Sequence, residues 1–309
     1  MPNTLPKELI KRFTKQFGAG TIPVLLRAFS AVRKPTFRVN TLKSSDEEVM
    51  NVFREEQIQY ERVKNIPHAF MVKNRTDKEI LDHPLNTEGK IYLQGISSML
   101  PPLLLDLDGP TGTSAPARIL DLCAAPGSKT TEIAALTNNQ AIIVATEDNE
   151  VRFQKLMNTI RTQGANVDAR NMDATLLHHE MPEAFDKILT DVPCSAEGRF
   201  DLNNPRSYAY WSEKNITAHA KLQRRLLRSA VQCLKPGGTL VYSTCTLAPE
   251  ENEDMIGWLL TEFPEMKPAP ITLPILNTRK TAHQTVTVLP NETMEGFFVA
   301  KLTKANISG

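Results

Sequence analysis

Between residues 118 and 262, short unbroken apolar runs alternate with longer amphipathic stretches, and this rhythm restricts the chain more than any other feature. Candidate strands fall at 118–123, 141–146, 166–170, 187–191 and 239–243, and candidate helices at 129–136, 151–163, 215–234 and 250–262. Strands apolar at every position are buried on both faces, and helices between them make crossover connections. The pattern predicts an α/β fold with a doubly wound parallel sheet, in which ligands collect beyond the carboxyl ends of the strands. Two cysteines stand at such ends. Cys194 lies in Asp191-Val192-Pro193-Cys194-Ser195 and Cys245 in Ser243-Thr244-Cys245-Thr246. A cysteine is often a buried space filler. Two thiols delivered from different strands suggest a shared site, and a thiolate is the strongest side-chain nucleophile near neutral pH.

Residues 1–90 read differently. Two short helices within 1–30, broken near Gly18-Ala19-Gly20, precede an extended piece at 36–40. A helix from Ser45 to about Glu56 and strands near 69–72 and 90–93 complete a small α+β module. A helix carrying Met99, Leu100, Leu103, Leu104 and Leu105 and a Gly/Pro/Thr/Ser linker at 109–116 then open a second domain, 91–309. That domain ends in a strand pair at 285–289 and 297–302.

The formal net charge is +1, yet residues 1–90 hold 16 Lys/Arg against 11 Asp/Glu while 91–309 hold 20 against 24. The excess is early: Lys7, Lys11, Arg12, Lys15, Arg27, Arg33, Lys34, Arg38 and Lys43 face only Glu8. Such a stretch suits phosphate contact, and equally a solvated surface. No apolar run approaches the ~18 residues of a membrane span, and no apolar block follows the basic N-terminus as in a secretory signal. The four cysteines form no C-x-x-C pair. They argue against a metal knuckle or disulfide framework and for a reducing, cytoplasmic setting.

The turn after the first strand of the larger domain reads Asp121-Leu122-Cys123-Ala124-Ala125-Pro126-Gly127-Ser128-Lys129-Thr130. It lacks the glycine spacing of a P-loop and of G-x-G-x-x-G, so a triphosphate cradle is disfavoured. Twenty residues after Gly127 comes Glu147, where a doubly wound sheet grips ribose hydroxyls; Asp148 reads equally well as a helix cap. Asp173, after the third strand, is placed for an adenine amino group. A tight turn, a ribose acid and a base acid without a phosphate cage describe S-adenosyl-L-methionine better than ATP or NAD.

These segments, with Asp191-Val192-Pro193-Cys194-Ser195-Ala196-Glu197-Gly198 and Tyr242-Ser243-Thr244-Cys245-Thr246-Leu247-Ala248-Pro249-Glu250-Glu251-Asn252-Glu253, resemble the Sun-type RNA cytosine-5 methyltransferase family. Arg38-Val39-Asn40-Thr41-Leu42, Gln94 with Ser97-Ser98-Met99-Leu100-Pro101, Lys235-Pro236-Gly237-Gly238 and Glu295-Gly296-Phe297-Phe298-Val299-Ala300 extend the resemblance from about 38 to 302. Gly-Ser-Lys-Thr at 127–130, where most of the family has Gly-Gly-Lys-Thr, is similar to a bacterial subgroup acting on small-subunit ribosomal RNA. Members of that subgroup commonly continue into a C-terminal RNA-binding extension, whereas this sequence stops after the Phe-Phe strand. Ala196 stands where glycine is usual, tolerable unless φ must be positive there. Asn291 replaces a frequent His.

The resemblance implies S-adenosyl-L-methionine held by Cys123, Ala124, Ala125, Pro126, Gly127, Ser128, Lys129, Glu147, Arg152, Asp173 and Asp191. It also implies an RNA-docking N-terminal module with Arg38 and Asn40. Arg224, Arg225 and Arg228 can add phosphate contacts or form a solvated face, and Tyr210 and Trp211 are expected to pack beneath the catalytic loop. C5 of cytosine is barely nucleophilic until a thiolate adds at C6, with Asp191 as proton donor at N3. On chemistry alone either cysteine can attack. A Pro-Cys nucleophile, as in DNA cytosine enzymes, points to Cys194; the RNA family assigns attack to Cys245 and release to Cys194. Methylation of an exocyclic amine is disfavoured, because Cys194 occupies the position of a stacking aromatic. The expectation is a monomeric enzyme acting on rRNA, naked or within a subunit. A tRNA enzyme, a DNA enzyme and a non-catalytic RNA-binding assembly factor are the alternatives.

Overall fold

The apolar strand runs and their intervening helices assemble into two sheets in a computed structural model. It describes residues 5–107, 115–273, 275 and 277–306, so the linker read at 109–116 lies outside the described residues up to 114. Helices α1 (Lys7–Phe17) and α2 (Ile22–Ser30) come first. A four-stranded antiparallel sheet of order β2-β3-β1-β4 follows, from β1 (Thr36–Val39), β2 (Tyr60–Arg62), β3 (Ala69–Val72) and β4 (Ile91–Leu93). Helix α3 (Asp46–Glu55) starts in a Ser45/Glu48 capping box and buries Val49, Met50 and Phe53 on one face. Phe37, Phe53 and Phe70 centre this small core, with ring centroids 5.4 and 5.6 Å apart. Short helices α4 (Asp77–Leu81) and α5 (Pro84–Thr87) lead into β4, and α6 (Leu100–Leu103) out of it.

Two expectations need correction here. β4 pairs with β1, so the small sheet runs past the boundary drawn at residue 90. Leu9, Phe13, Leu25 and Phe29 of α1 and α2 pack on Phe200, Tyr208 and Leu247 of the larger domain, not on the small sheet. Arg12 adds an ion pair of 2.8 Å to Glu250.

The large sheet contains β5 (Arg118–Asp121), β6 (Ile142–Glu147), β7 (Val167–Asn171), β8 (Phe185–Asp191), β9 (Leu234–Thr244), β10 (Met266–Pro268), β11 (Thr278–Lys280), β12 (Val286–Val288) and β13 (Phe297–Lys304). Its order is β11-β12-β13-β9-β8-β5-β6-β7, with β10 on β13. Only β9-β8-β5-β6-β7 are parallel; β10 to β13 pair antiparallel, so the sheet is mixed rather than parallel throughout. Helices α7 (Ser128–Leu136), α8 (Glu150–Gln163), α9 (Glu213–Cys233) and α10 (Glu253–Glu262) complete the domain. α9 and α10 supply Leu226, Leu227, Met255 and Ile256 to one face, and α7 supplies Ile133 and Ala134 to the other. From β5 the chain winds outward through β6 and β7, then returns to β8 on the other side of β5. That reversal opens a crevice at the carboxyl ends of β5 and β8.

Candidate active site

The crevice holds a cavity of about 490 Å³ whose wall includes Asp121, Lys129, Asp191, Cys194 and Cys245. β8 and β9 run parallel with Asp191 opposite Ser243, so the loops that follow leave side by side. The sulfurs of Cys194 and Cys245 consequently stand 3.3 Å apart. A hydrogen bond from the Cys194 thiol lowers the pKa of Cys245, with the guanidinium of Arg199 adding to the effect against burial. The same bond, together with burial, raises Cys194 well above the ordinary thiol range. The two thiols are thus inequivalent, and Cys245 is the one that gives up its proton more readily.

Both thiol loops are held from beneath by one acidic segment. Buried Glu251 accepts hydrogen bonds from the backbone N–H and hydroxyl of Ser195 and, at 2.7 Å, from Gln223. Burial pushes its carboxyl up to about 7, against the lowering effect of those donors. Asn252 Oδ1 accepts from Thr244 Oγ1 at 2.7 Å while its Nδ2 donates to Thr246 O at 3.1 Å, bracketing Cys245. On the opposite side, Gly198 N–H donates to Cys245 O at 3.0 Å and Gly296 N–H to Gly198 O at 2.9 Å. A Cβ on Gly198 would lie 2.2 Å from Gly296 O, so the two backbones touch only because both residues are glycine. Ala196 adopts φ 56 and ψ 28, so the position does require positive φ and alanine is strained there by about 1 kcal/mol.

Asp191 accepts from Lys129 Nζ at 2.7 Å and from Ser243 Oγ at 2.7 Å. Lys129 is buried and also donates to Ser98 Oγ at 2.8 Å. Burial alone would lower its pKa; Asp191 outweighs that and raises it, so the ammonium stays charged. Beside this pair, burial lifts the carboxyl of Asp121 to about 6. One Asp121 oxygen accepts from Thr130 Oγ1 at 2.6 Å, and the other, buried, has no hydrogen-bond partner.

Cys123, Ala124, Ala125, Pro126, Ser128, Lys129 and Arg152 line the same cavity. Gly127 caps α7 at φ 106, a conformation that suits glycine. Glu147 and Asp173 lie instead in a small adjoining cavity, which shares Cys123 and Arg152 with the larger one. Glu147 is buried at the end of β6, where Arg152 reaches it at 3.0 Å and Asn149 N–H at 3.1 Å. Asn149, not Asp148, caps α8. Asp173 caps the following turn through Thr175 N–H at 2.9 Å and faces Arg225 at 3.7 Å.

Arg38 and Asn40 are not on a docking surface. Arg38 is 3% exposed and donates to Gln94 Oε1 at 3.0 Å, Thr131 Oγ1 at 2.7 Å and Ser128 O at 3.2 Å. Asn40, fully buried, donates to Gly89 O and Gln163 O, both at 2.8 Å. Both lock the small sheet onto α7 and α8. Tyr210 is also displaced from expectation: it is 84% exposed, whereas Trp211 does pack inward and donates to Glu197 at 2.7 Å. Arg224 and Arg228 stack on Trp258, and Arg228 pairs with Glu262. Sequence reasoning missed the roles of Glu251, Asn252, Gln223, Ser243, Arg199 and Glu295. Glu251 and Asn252 lay inside a quoted motif, and their polarity beside a strand end was the available signal. Among the described residues, no group of His, Cys, Asp or Glu could hold a metal, and no helix is long and apolar enough to cross a membrane.

The parallel β9-β8-β5-β6-β7 sheet, the crevice at its reversal and acids at the ends of β5 and β6 define the Rossmann-like methyltransferase fold. The chain belongs to the family described as 16S rRNA methyltransferase RsmB/F, whose model matches residues 113–303. A model for the RsmF/B-like ferredoxin-like domain matches 5–79. The chain is 39% identical over 277 residues to ribosomal RNA small subunit methyltransferase F of Cronobacter sakazakii, covering 87% of this chain and 56% of that one. It is 36% identical over 276 residues to the protein of that name from Shewanella loihica, covering 88% and 56%. The chain therefore spans a little over half the length of these relatives. Among solved structures, a methyltransferase homolog from Pyrococcus horikoshii is similar with a TM-score of 0.81 and 30% identity, covering 98% of this chain and 96% of that one.

Proposed function

We propose that this protein transfers a methyl group from S-adenosyl-L-methionine to C5 of a cytosine in small-subunit ribosomal RNA. The observation that carries the reading is the pair of thiols 3.3 Å apart, beside an Asp191 held by Lys129. The names of the relatives support ribosomal RNA as the substrate. The donor fits the residues present. The unpartnered oxygen of Asp121 suits an ammonium group, Glu147 suits ribose hydroxyls, Asp173 suits the adenine edge, and the turn at 123–128 with Arg152 completes the wall. Bound there, the sulfonium supplies an electrophilic methyl group.

The chain's own groups do the rest. A target base must leave its stack to enter the cavity. Cys245 Sγ, as thiolate, bonds to C6, and electron density moves onto the ring at N3. The Lys129–Asp191 pair delivers its proton at N3, which leaves C5 nucleophilic. Methyl transfer leaves S-adenosyl-L-homocysteine and a C5 that carries both methyl and hydrogen. A solvent-borne base removes the C5 proton, its electron pair re-forms the C5–C6 double bond and expels the Cys245 thiolate, and the N3 proton returns to the Lys129–Asp191 pair. The Cys194 thiol, placed within hydrogen-bond distance of that sulfur, stabilises the departing thiolate. The enzyme acts as a monomer in the reducing cytoplasm, on free RNA or on an assembling subunit.

The test is radiolabelled transfer to small-subunit rRNA, followed by bisulfite mapping of the labelled cytosine. Cys245→Ala should give neither product nor covalent RNA adduct, and Cys194→Ala should accumulate the adduct. Label on an exocyclic amine, or turnover by Cys245→Ala, overturns the assignment.

A further inference from the structure

Beyond the catalytic cavity, along β4, lies a second cleft of about 300 Å³. The two share Leu93, Gln94, Gly95 and Glu295, so they form one continuous trough. The outer cleft carries four charged groups: Arg33, Lys34, Asp77 and Glu295. Glu295 is already neutralised by Arg199 at 3.2 Å, which leaves two cations against one acid.

The cations are held without counter-ions. Arg33 is half-buried, and its Nη2 donates to two backbone carbonyls, Ala28 O at 3.1 Å and Asn291 O at 3.3 Å. Its Nε is buried with no partner, and no ion pair among the described residues includes Arg33 or Lys34. Burial lowers the Arg33 pKa, and the more distant Glu295 and Asp201 only partly oppose it. Lys34 is exposed beside it. A desolvated guanidinium kept in place by carbonyls is costly unless an anion completes it, and a phosphate oxygen is the anion it fits best. Asn291 builds the mount: its side chain accepts from Thr293 and Met294 N–H at 2.8 Å, fixing the turn whose carbonyl holds Arg33.

We propose that Arg33 and Lys34 form a subsite for the backbone phosphate of a nucleotide flanking the target cytosine, so that the strand leaves the catalytic cavity through this cleft. This rests on RNA being the substrate. It relocates the docking role from buried Arg38 to the next two cations upstream.

The experiment measures binding of the 309-residue chain to a small-subunit rRNA fragment, as a function of salt. Exposed Lys34→Met should weaken binding about fivefold and reduce the slope of log affinity against log salt by about 0.7 to 0.9, the loss of one phosphate contact. Lys34→Arg should restore both, and the loss should fall on KM for RNA, with S-adenosyl-L-methionine affinity retained. A single methylphosphonate next to the target cytosine should weaken the wild type by the same factor and leave Lys34→Met unaffected. Arg33→Met, checked by thermal melting, should have the larger effect. An unchanged salt slope in Lys34→Met, or equal sensitivity of both proteins to the neutral linkage, overturns the subsite while leaving methylation intact. Inorganic phosphate that binds without competing against RNA overturns it in favour of a free-anion site. A wild type that binds RNA but transfers no methyl group contradicts the functional reading, not the subsite.

Discussion

Two buried ion clusters sit one helical turn apart on α7, and each joins a cation to a carboxylate. In one, Lys129 meets Asp191 at 2.7 Å on a cavity wall, with Ser98 and Ser243 completing the pair. In the other, Arg38 faces Glu132 at the seam between the sheets, with Gln94 bonded to both. The first cluster is fully satisfied, yet one side opens to the cavity, so its proton can be used. The second borders a separate cleft of about 300 Å³ that holds neither thiol. Burial lifts Glu132 to about 7, and Arg38 keeps a buried nitrogen without a partner. Buried charge beside a cavity therefore says little by itself; two thiols on the same wall separate chemistry from joinery.

The sharpest way to break this contrast is to disable each cluster in turn. Asp191→Asn should lower kcat by about 10³-fold, within the range for a proton-transfer group, and should also lower the urea midpoint, because buried Lys129 loses its counter-charge. Arg38→Met should lower the urea midpoint and leave kcat close to wild type. Stranding Glu132, Thr131 and the Ser128 carbonyl should cost about 3–5 kcal/mol in urea unfolding. An Arg38→Met protein of full stability and weakened RNA binding would return Arg38 to the docking surface.

Glu132→Gln sharpens the same point through pH. Unfolded Glu132 releases its proton near 4.5, whereas the folded residue holds it to about 7. The folded chain binds the proton more tightly, so stability falls as pH rises through that window. Glu197 and Glu251, also raised to about 7 by burial, and Asp121, raised to about 6, act with the same sign. Glu132→Gln should flatten the decline by up to one proton's worth, about 1.4 kcal/mol per pH unit. The smallest effect is expected of Arg199→Met, whose exposed guanidinium only assists the Cys194 hydrogen bond. The pH midpoint for alkylation of Cys245 should rise by less than about one unit, the scale of a solvent-screened charge.

How much of this was legible in the sequence depended on whether a residue's role was local. Apolar strands ending in Asp191, Cys194 and Cys245 announce an edge site, because strand period and strand end are both readable along the chain. Arg38 misleads because charge is visible in a sequence and burial is not. Nothing nearby reveals that β1 is an inner strand whose side chain meets α7. β2 went unseen because Tyr60-Glu61-Arg62 lies at the sheet edge with two exposed positions. β10 and β11 are three-residue edge pieces with no apolar period. Tyr210 was placed inside on its aromatic character, yet only its neighbour Trp211 finds a buried acceptor. Glu251 and Gln223 organise the thiol loops across separations of 56 and 28 residues, which no spacing rule encodes.

The Gly198–Gly296 contact bears on when the protein becomes reactive. Cys194 and Cys245 are 51 residues apart, and the segment that seats them, around Gly296, is as far again along the chain. Three distant pieces must dock before either thiol meets its partner. A partly folded chain, nascent or damaged, thus carries two ordinary protonated cysteines. In the proposed reaction, covalent attack on a base therefore waits for these long-range contacts to close, and the fold itself acts as the safety catch.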